Sequence, residues 1–100
     1  MSLALIVSPG AETDILGAFV WYEERQAELG RRFIGELDSA FRRIQDDPLS
    51  YREILPGIRQ TLLHVFPYLV FYTLREDALE ILAVIHASQD PADIQQRLNA

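Results

Sequence analysis

Residues Ile58 to His86 carry three apolar runs rich in β-branched and aromatic side chains, divided by Phe66-Pro67-Tyr68 and by Arg75-Glu76-Asp77. This pattern predicts a three-stranded antiparallel meander over about Ile58–Val65, Tyr68–Leu74 and Leu79–His86. Pro67 has no N–H to give to a ladder, so it belongs at a strand start or a bend. Glu76-Asp77 suits a hairpin turn. Alternation puts Tyr68, Val70, Tyr72 and Leu74 on one face and Leu69, Phe71 and Thr73 on the other. In the last strand Leu79, Ile81, Ala83 and Ile85 share a face, with Leu82 and Val84 opposite. Neither face is polar, so the sheet needs cover on both sides.

The rest of the chain limits what that cover can be. Leu3 to Val7 is a short apolar run and reads as a strand buried on both faces. Ser8-Pro9 then starts a helix, with Ser8 as N-cap, Pro9 at the first helical position and Glu12 near the positive end of the dipole. This helix runs to about Gln26 with Ala11, Ile15, Ala18, Phe19 and Tyr22 on one stripe. Trp21 lies off the stripe and borders the core. Gly17, costly inside a helix, reads as a point of close packing. A break at Ala27-Glu28 precedes a second helix, Leu29 to Asp46, striped by Leu29, Phe33, Leu37, Ala40, Phe41 and Ile44. The short turn between them predicts an antiparallel helical hairpin. Leu49 to Gly57 reads as a linker ending in a Pro56-Gly57 turn. Asp90-Pro91 starts a last helix of about two turns, Pro91 to Leu98.

The fold expected is α+β: a strand, an α-helical hairpin, a three-stranded antiparallel meander and a short C-terminal helix, in one domain spanning residues 1–100. The hairpin can cover one face of a four-stranded sheet. The last helix offers chiefly Ile94 and Leu98, too little for the whole of the other. An apolar face left open on so small a domain is usually a partner's seat.

Charge and residue types narrow the function. The formal charge is −6, and every one of the nine basic residues is Arg. Nucleic-acid binders gain affinity by neutralising phosphates, so direct nucleic-acid binding is not expected here. There is no cysteine, hence no disulfide and no thiolate zinc site. No apolar run is long enough to span a bilayer and no leader opens the chain, which predicts a cytoplasmic protein without membrane contact. No Gly-rich phosphate loop or nucleophile elbow occurs, and neither a cofactor nor a metal is expected.

The order of elements resembles the RelE/ParE superfamily of type II toxin–antitoxin toxins, on the ParE side. The matching landmarks are Ser8-Pro9 with Ala11, Asp14 and Ile15; Trp21-Tyr22-Glu23; and Leu29-Gly30-Arg31-Arg32-Phe33. They continue through Ile44, Pro48, Tyr51, Ile58-Arg59, Phe66-Pro67-Tyr68 with Val70 and Tyr72, and Ile81-Leu82-Ala83-Val84 before His86. Asp90-Pro91 and Arg97 close the match. The resemblance implies a small toxin neutralised by a cognate antitoxin whose C-terminal segment lies over the sheet, forming a hetero-oligomer. ParE-like members are associated with inhibition of DNA gyrase, whereas RelE-like members cleave messenger RNA on the ribosome. A member that keeps only antitoxin binding is a third reading.

RNA cleavage needs a base for the 2′-hydroxyl, an acid and a cation for the phosphate. The chain offers Arg59, Arg75, His64 and His86. Gln89 stands where the resemblance leads one to expect an Arg, and a neutral amide does not hold a phosphate as a cation does. Binding is therefore favoured over catalysis. Arg59 and His86 remain the candidates should the protein be an enzyme, His86 because an imidazole can serve as acid or base. Arg59, Tyr68, Tyr72, His86 and Arg97 are the residues expected to meet a partner. Arg59 also has a plainer reading as an ion pair with the acidic surface, and His86 as a strand-end hydrogen bond to the turn; Trp21, Tyr22 and Tyr51 read as core and edge packing rather than a base-stacking platform. Arg31, Arg32, Arg42 and Arg43 read as a solvated helix face.

Overall fold

The computed structural model describes residues 3–99, so the ends of the expected domain, residues 1, 2 and 100, lie outside it. Its elements are β1 (Ala4–Val7), α1 (Pro9–Arg25), α2 (Leu29–Asp46), β2 (Arg52–Leu55), β3 (Ile58–Leu62), β4 (Tyr68–Arg75), β5 (Ala78–His86) and α3 (Pro91–Asn99). Five strands form one sheet in the order β1-β5-β4-β3-β2. The β3-β4-β5 meander is antiparallel, while β1 pairs in parallel with β5.

Local chemistry sets the helices. The Ser8 hydroxyl accepts the Ala11 N–H at 3.2 Å and caps α1. Glu28 takes a left-handed conformation, φ 74°, and turns the chain into α2. It offers no side-chain cap, and Glu23 on α1 takes that role by accepting the N–H groups of Gly30 (2.8 Å) and Glu28 (3.2 Å). One helix thus caps the next. Close packing between them falls at Gly30, where an added Cβ would lie 2.7 Å from the Phe19 carbonyl oxygen. It does not fall at Gly17, whose added Cβ meets nothing within 4 Å. Gly30→Ala should cost about 1–3 kcal/mol by overpacking. Gly17→Ala should gain about 0.5–1 kcal/mol by relieving the helix of a glycine. Urea titration of the two variants checks both signs.

Three expectations about the sheet are corrected. Leu49–Gly57 is not a linker throughout. Arg52–Leu55 forms β2, paired with β3 through the Pro56-Gly57 turn. A four-residue strand with two charged residues leaves little alternation to read. The first strand is not buried on both faces. It is an edge strand, with Leu5 36% and Ile6 46% exposed, while Val7 and the preceding Leu3 pack against the core. The last strand does not alternate throughout. Tyr72 pairs with Ile81 but Phe71 pairs with Ala83, so Leu82 is an extra residue, a β-bulge. One inserted residue reverses the parity of all that follow. Leu79, Ile81 and Val84 therefore face α1 and α2, and Ala83 and Ile85 face away. The β1–α1 junction holds the bulge, since the Ser8 N–H donates to the Ile81 carbonyl (3.1 Å) and the Ser8 hydroxyl to that of Leu82 (3.3 Å).

The main core lies between the hairpin and the sheet. Phe33, Leu37, Ala40 and Ile44 of α2 meet Val70, Tyr72, Leu79 and Ile81, all essentially inaccessible to water. Tyr22, Phe33, Phe66 and Tyr68 form an aromatic cluster with centroid separations of 4.9–6.1 Å. Among the described residues no helix is long and apolar enough to cross a membrane.

Candidate functional site

The opposite face of the sheet carries a second, smaller cluster built on Phe71, Ala83 and Ile85. Among the described residues only α3 lies over it, through Ile94 and Leu98, and no residue of α3 is itself buried. Between α3 and the sheet runs a groove of about 340 Å³, lined by Ile54, Leu55, Leu69 and Phe71 on one side and by Pro91, Ile94 and Leu98 on the other. Gln60, Gln89 and Gln95 give it a neutral polar rim. This is the under-covered face that the sparse apolar content of α3 predicts. A second apolar patch, missed in the sequence, lies on the outer side of α1, where Leu16 and Val20 are exposed.

The structure does not gather the expected site residues into one place. Arg59 and Tyr72 face each other across β3 and β4, on the side of the helical hairpin. The Arg59 guanidinium donates to the carbonyls of Tyr51 (2.6 Å) and Leu49 (3.3 Å), and the Tyr72 hydroxyl donates to that of Pro48 (2.6 Å). Together they hold the segment that leads out of α2. Tyr68 and His86 face each other at the other end of the meander, with ring centroids 5.1 Å apart. Tyr68 is four residues from Tyr72, about 13 Å along an extended strand, so Arg59 and His86 do not form one constellation. Arg97 lies on α3, and its guanidinium meets the Asp14 carboxylate of α1 through two hydrogen bonds of 2.8 and 2.6 Å. Asp14 also accepts the Val84 N–H of β5 at 2.9 Å, just beyond the end of β1. The carboxylate thereby joins α1, α3 and the sheet. Arg31, Arg32 and Arg42 are exposed, whereas Arg43 is half-buried with one guanidinium nitrogen lacking a partner. His64 is exposed. No cluster of three or more His, Asp or Glu among the described residues is placed to hold a metal ion.

Burial pushes the Tyr72 hydroxyl up to about 12, although the nearby Arg59 charge acts the other way. Burial also raises Tyr22 and Tyr68. A folded pKa above the unfolded value means that the unfolded chain loses its proton first. The stabilisation is complete below about pH 10 and is lost as pH rises toward 12. For Tyr72 the loss is on the order of 2–3 kcal/mol. Urea midpoints should fall steadily above pH 10, and less steeply in Tyr72→Phe.

Comparison with known proteins agrees with this architecture. Residues 5–91 match the family model described as the ParE toxin of the type II toxin–antitoxin system parDE. Toxin ParE2 of Mycobacterium tuberculosis (strain CDC 1551 / Oshkosh) is 27% identical over 100 residues, covering 99% of this chain and 95% of the relative. The same toxin from strain H37Rv matches equally well. A solved chain of the chromosomal ParDE system from P. aeruginosa superposes with a TM-score of 0.77 at 14% identity, over 87% of this chain and 98% of that one. An arginine-to-alanine double mutant of the E. coli toxin RelE, in the free state, superposes with a TM-score of 0.60 at 10% identity, over 99% and 97%. These two likenesses are of fold. The sequence match, spanning most of the chain, is of family: the protein belongs to the ParE toxins of type II toxin–antitoxin systems.

Proposed function

We propose that this toxin acts by binding a protein target, DNA gyrase, and is neutralised by a cognate antitoxin whose C-terminal segment lies in the groove under α3. The observation that carries the antitoxin seat is the groove itself: apolar walls, a neutral glutamine rim and a single thin helix for cover. An apolar strip of a partner chain would cover the half-buried Ile54, Leu55 and Leu69 there without stranding a charge. The choice of gyrase follows the ParE membership. Binding is favoured over RNA cleavage because the Arg and His that cleavage would call on sit at opposite ends of the meander. The Arg59 guanidinium, moreover, is already engaged with backbone carbonyls.

Induced expression without an antitoxin tests the activity. Growth arrest with a DNA-damage response, and loss of supercoiling by purified gyrase on adding the protein, are the expected results. A prompt halt of translation with intact supercoiling would mean RNA cleavage instead. Normal growth would leave antitoxin binding alone. For the groove, Leu69→Gln should weaken binding of the antitoxin's C-terminal half at least about tenfold, the scale of losing one buried apolar contact. Unchanged affinity in a folded variant would move the seat elsewhere.

A further inference from the structure

A separate cleft opens on the helix side of the sheet, between α1 and the ends of β4 and β5. It measures about 350 Å³ and is lined by Gly17, Trp21, Tyr22, Tyr68, His86 and Ser88. Its walls are rings set nearly at right angles. Trp21 meets Tyr22 edge-on at 5.1 Å and 87°, and Tyr68 meets His86 at 5.1 Å and 76°. The Arg25 guanidinium sits 3.6 Å over the Trp21 ring and steadies this half-exposed wall.

The polar groups converge and are unspent. The Ser88 N–H donates to His86 Nδ1 at 3.1 Å, with the Ser88 hydroxyl 2.7 Å from the same nitrogen. A backbone N–H can only donate, so Nδ1 is the acceptor and the proton of the neutral ring sits on Nε2. Among the described residues, neither that Nε2–H nor the hydroxyls of Tyr22 and Tyr68 has a hydrogen-bond partner. These atoms reach solvent, since among the described residues the one buried side-chain nitrogen or oxygen without a partner belongs to Arg43.

Gly17 supplies the decisive detail. The fold does not require glycine there, because an added Cβ meets nothing and the helix would be firmer with one. Gly35 is equally open but borders none of the clefts described. Gly17 lies where this cleft joins a second, which it shares with Asp14, Val84 and Arg97. That second cleft in turn shares Gln89 and Ile94 with the groove under α3. At that junction the open Cβ position of Gly17 leaves room for an incoming group.

The geometry points to this cleft as the receptor for one aromatic side chain, a tyrosine or tryptophan, of a partner polypeptide. The ring would pack among Trp21, Tyr22 and Tyr68, and its polar edge would meet His86 Nε2–H and the tyrosine hydroxyls. A phosphate-bearing ligand is disfavoured by Asp14 and Asp93 beside the adjoining cleft and by the net charge of −6. A polypeptide is favoured because the chain of clefts lets one segment reach both this cleft and the groove. On that point alone the inference rests on the antitoxin reading, since binding of the isolated ring requires no partner and no toxicity.

The test is titration of the full chain with N-acetyltyrosinamide, followed by amide and indole NMR shifts. Trp21, the only tryptophan, reports from the cleft wall. The amides of Gly17 and Ser88 and the Trp21 indole should shift together and saturate with a Kd on the order of millimolar, as expected for so small a ligand. Gly17→Met should abolish the shifts while keeping a thermal midpoint no lower than the parent's. His86→Phe, which keeps a ring and removes the donor, should weaken binding at least about threefold, and covers the case of a Gly17→Met chain that fails to fold. Equal shifts with N-acetylleucinamide, equal shifts with uridine, no shifts at all, or full binding by His86→Phe would each overturn the inference. Loss of antitoxin binding with ring binding intact would refute the groove and leave the cleft standing.

Discussion

Phe33→Ala should cost this domain about 3–5 kcal/mol, the range for emptying a buried aromatic site. Phe33 is fully buried and is the ring of α2 that the aromatic cluster closes upon. It stacks on Tyr22 at 5.5 Å and meets Phe66 and Tyr68 edge-on at 5.4 and 5.1 Å. Those partners come from α1, from the loop before β4 and from the start of β4. The substitution thus loosens the hairpin from the sheet at one stroke. Domains of this size hold only about 5–15 kcal/mol in total, so much of the stability is at stake. Each aromatic contact is worth about 0.5–1.5 kcal/mol beyond the area it buries. Phe33→Leu keeps most of the volume without the ring, and should lose about 1–2 kcal/mol. Urea unfolding measures both. A loss under 1 kcal/mol for the alanine variant would mean that the four rings do not pack as one body.

The second large effect is expected at Asp14. Its side chain is 16% exposed and that of Arg97 is 39% exposed. The Arg97 charge is therefore screened, and the ion pair itself contributes under about 1 kcal/mol. The larger share comes from the Val84 N–H. Pairing with β1 ends at Ile81, and beyond it the Val84 N–H donates to the carboxylate in place of a strand carbonyl. Asp14→Ala should cost about 2–3 kcal/mol, the scale for a hydrogen bond to a charged acceptor plus a stranded donor. It also unties α3, whose remaining hold is the half-buried pair Ile94 and Leu98. Amide exchange across Pro91–Asn99 should speed up well before global unfolding. Asp14→Asn, which still offers an oxygen to Val84, should recover part of the stability but little of the α3 protection. Protection of α3 equal to the parent's in Asp14→Ala would show that Arg97 is not what fastens this helix. The pair matters functionally, because the clefts on both sides of it are the proposed seats of a partner chain.

Much of the architecture was legible in single stretches of sequence. Ser8-Pro9 starts α1 and Asp90-Pro91 starts α3 where their residue types say they should. The stripe from Leu29 to Ile44 became the buried face of α2, and β4 alternates as its sequence does. Caps, helical periodicity and strand alternation act within a few residues, so they leave a local mark. The candidate site was less legible. The shortage of cover on one sheet face could be seen from the composition of the last helix. Which of Arg59, Tyr68, Tyr72, His86 and Arg97 lie together was not legible, since strand order and helix placement decide which of them meet. The aromatic cleft went unseen because its members span Gly17 to Ser88 and share no spacing.

By itself, then, the sequence determined the three helices and four of the five strands, the helical stripes that are buried, and that the sheet lacks cover on one side; the strand Arg52–Leu55 it left as a linker. These follow from propensity and pattern, which depend on near neighbours. Only the tertiary structure decided that β1 lies at an edge and that Leu82 bulges and reverses the faces of Ala83 and Ile85. It also decided that Gly30 rather than Gly17 is where the helices touch. Each of these depends on what stands opposite a residue from a distant part of the chain: β5 beside β1, Ser8 on the bulge carbonyls, the Phe19 carbonyl against Gly30. The meander from Ile58 to His86 belongs to both lists. Its strands were written locally, and its two faces acquired different roles only when the helical hairpin closed over one of them.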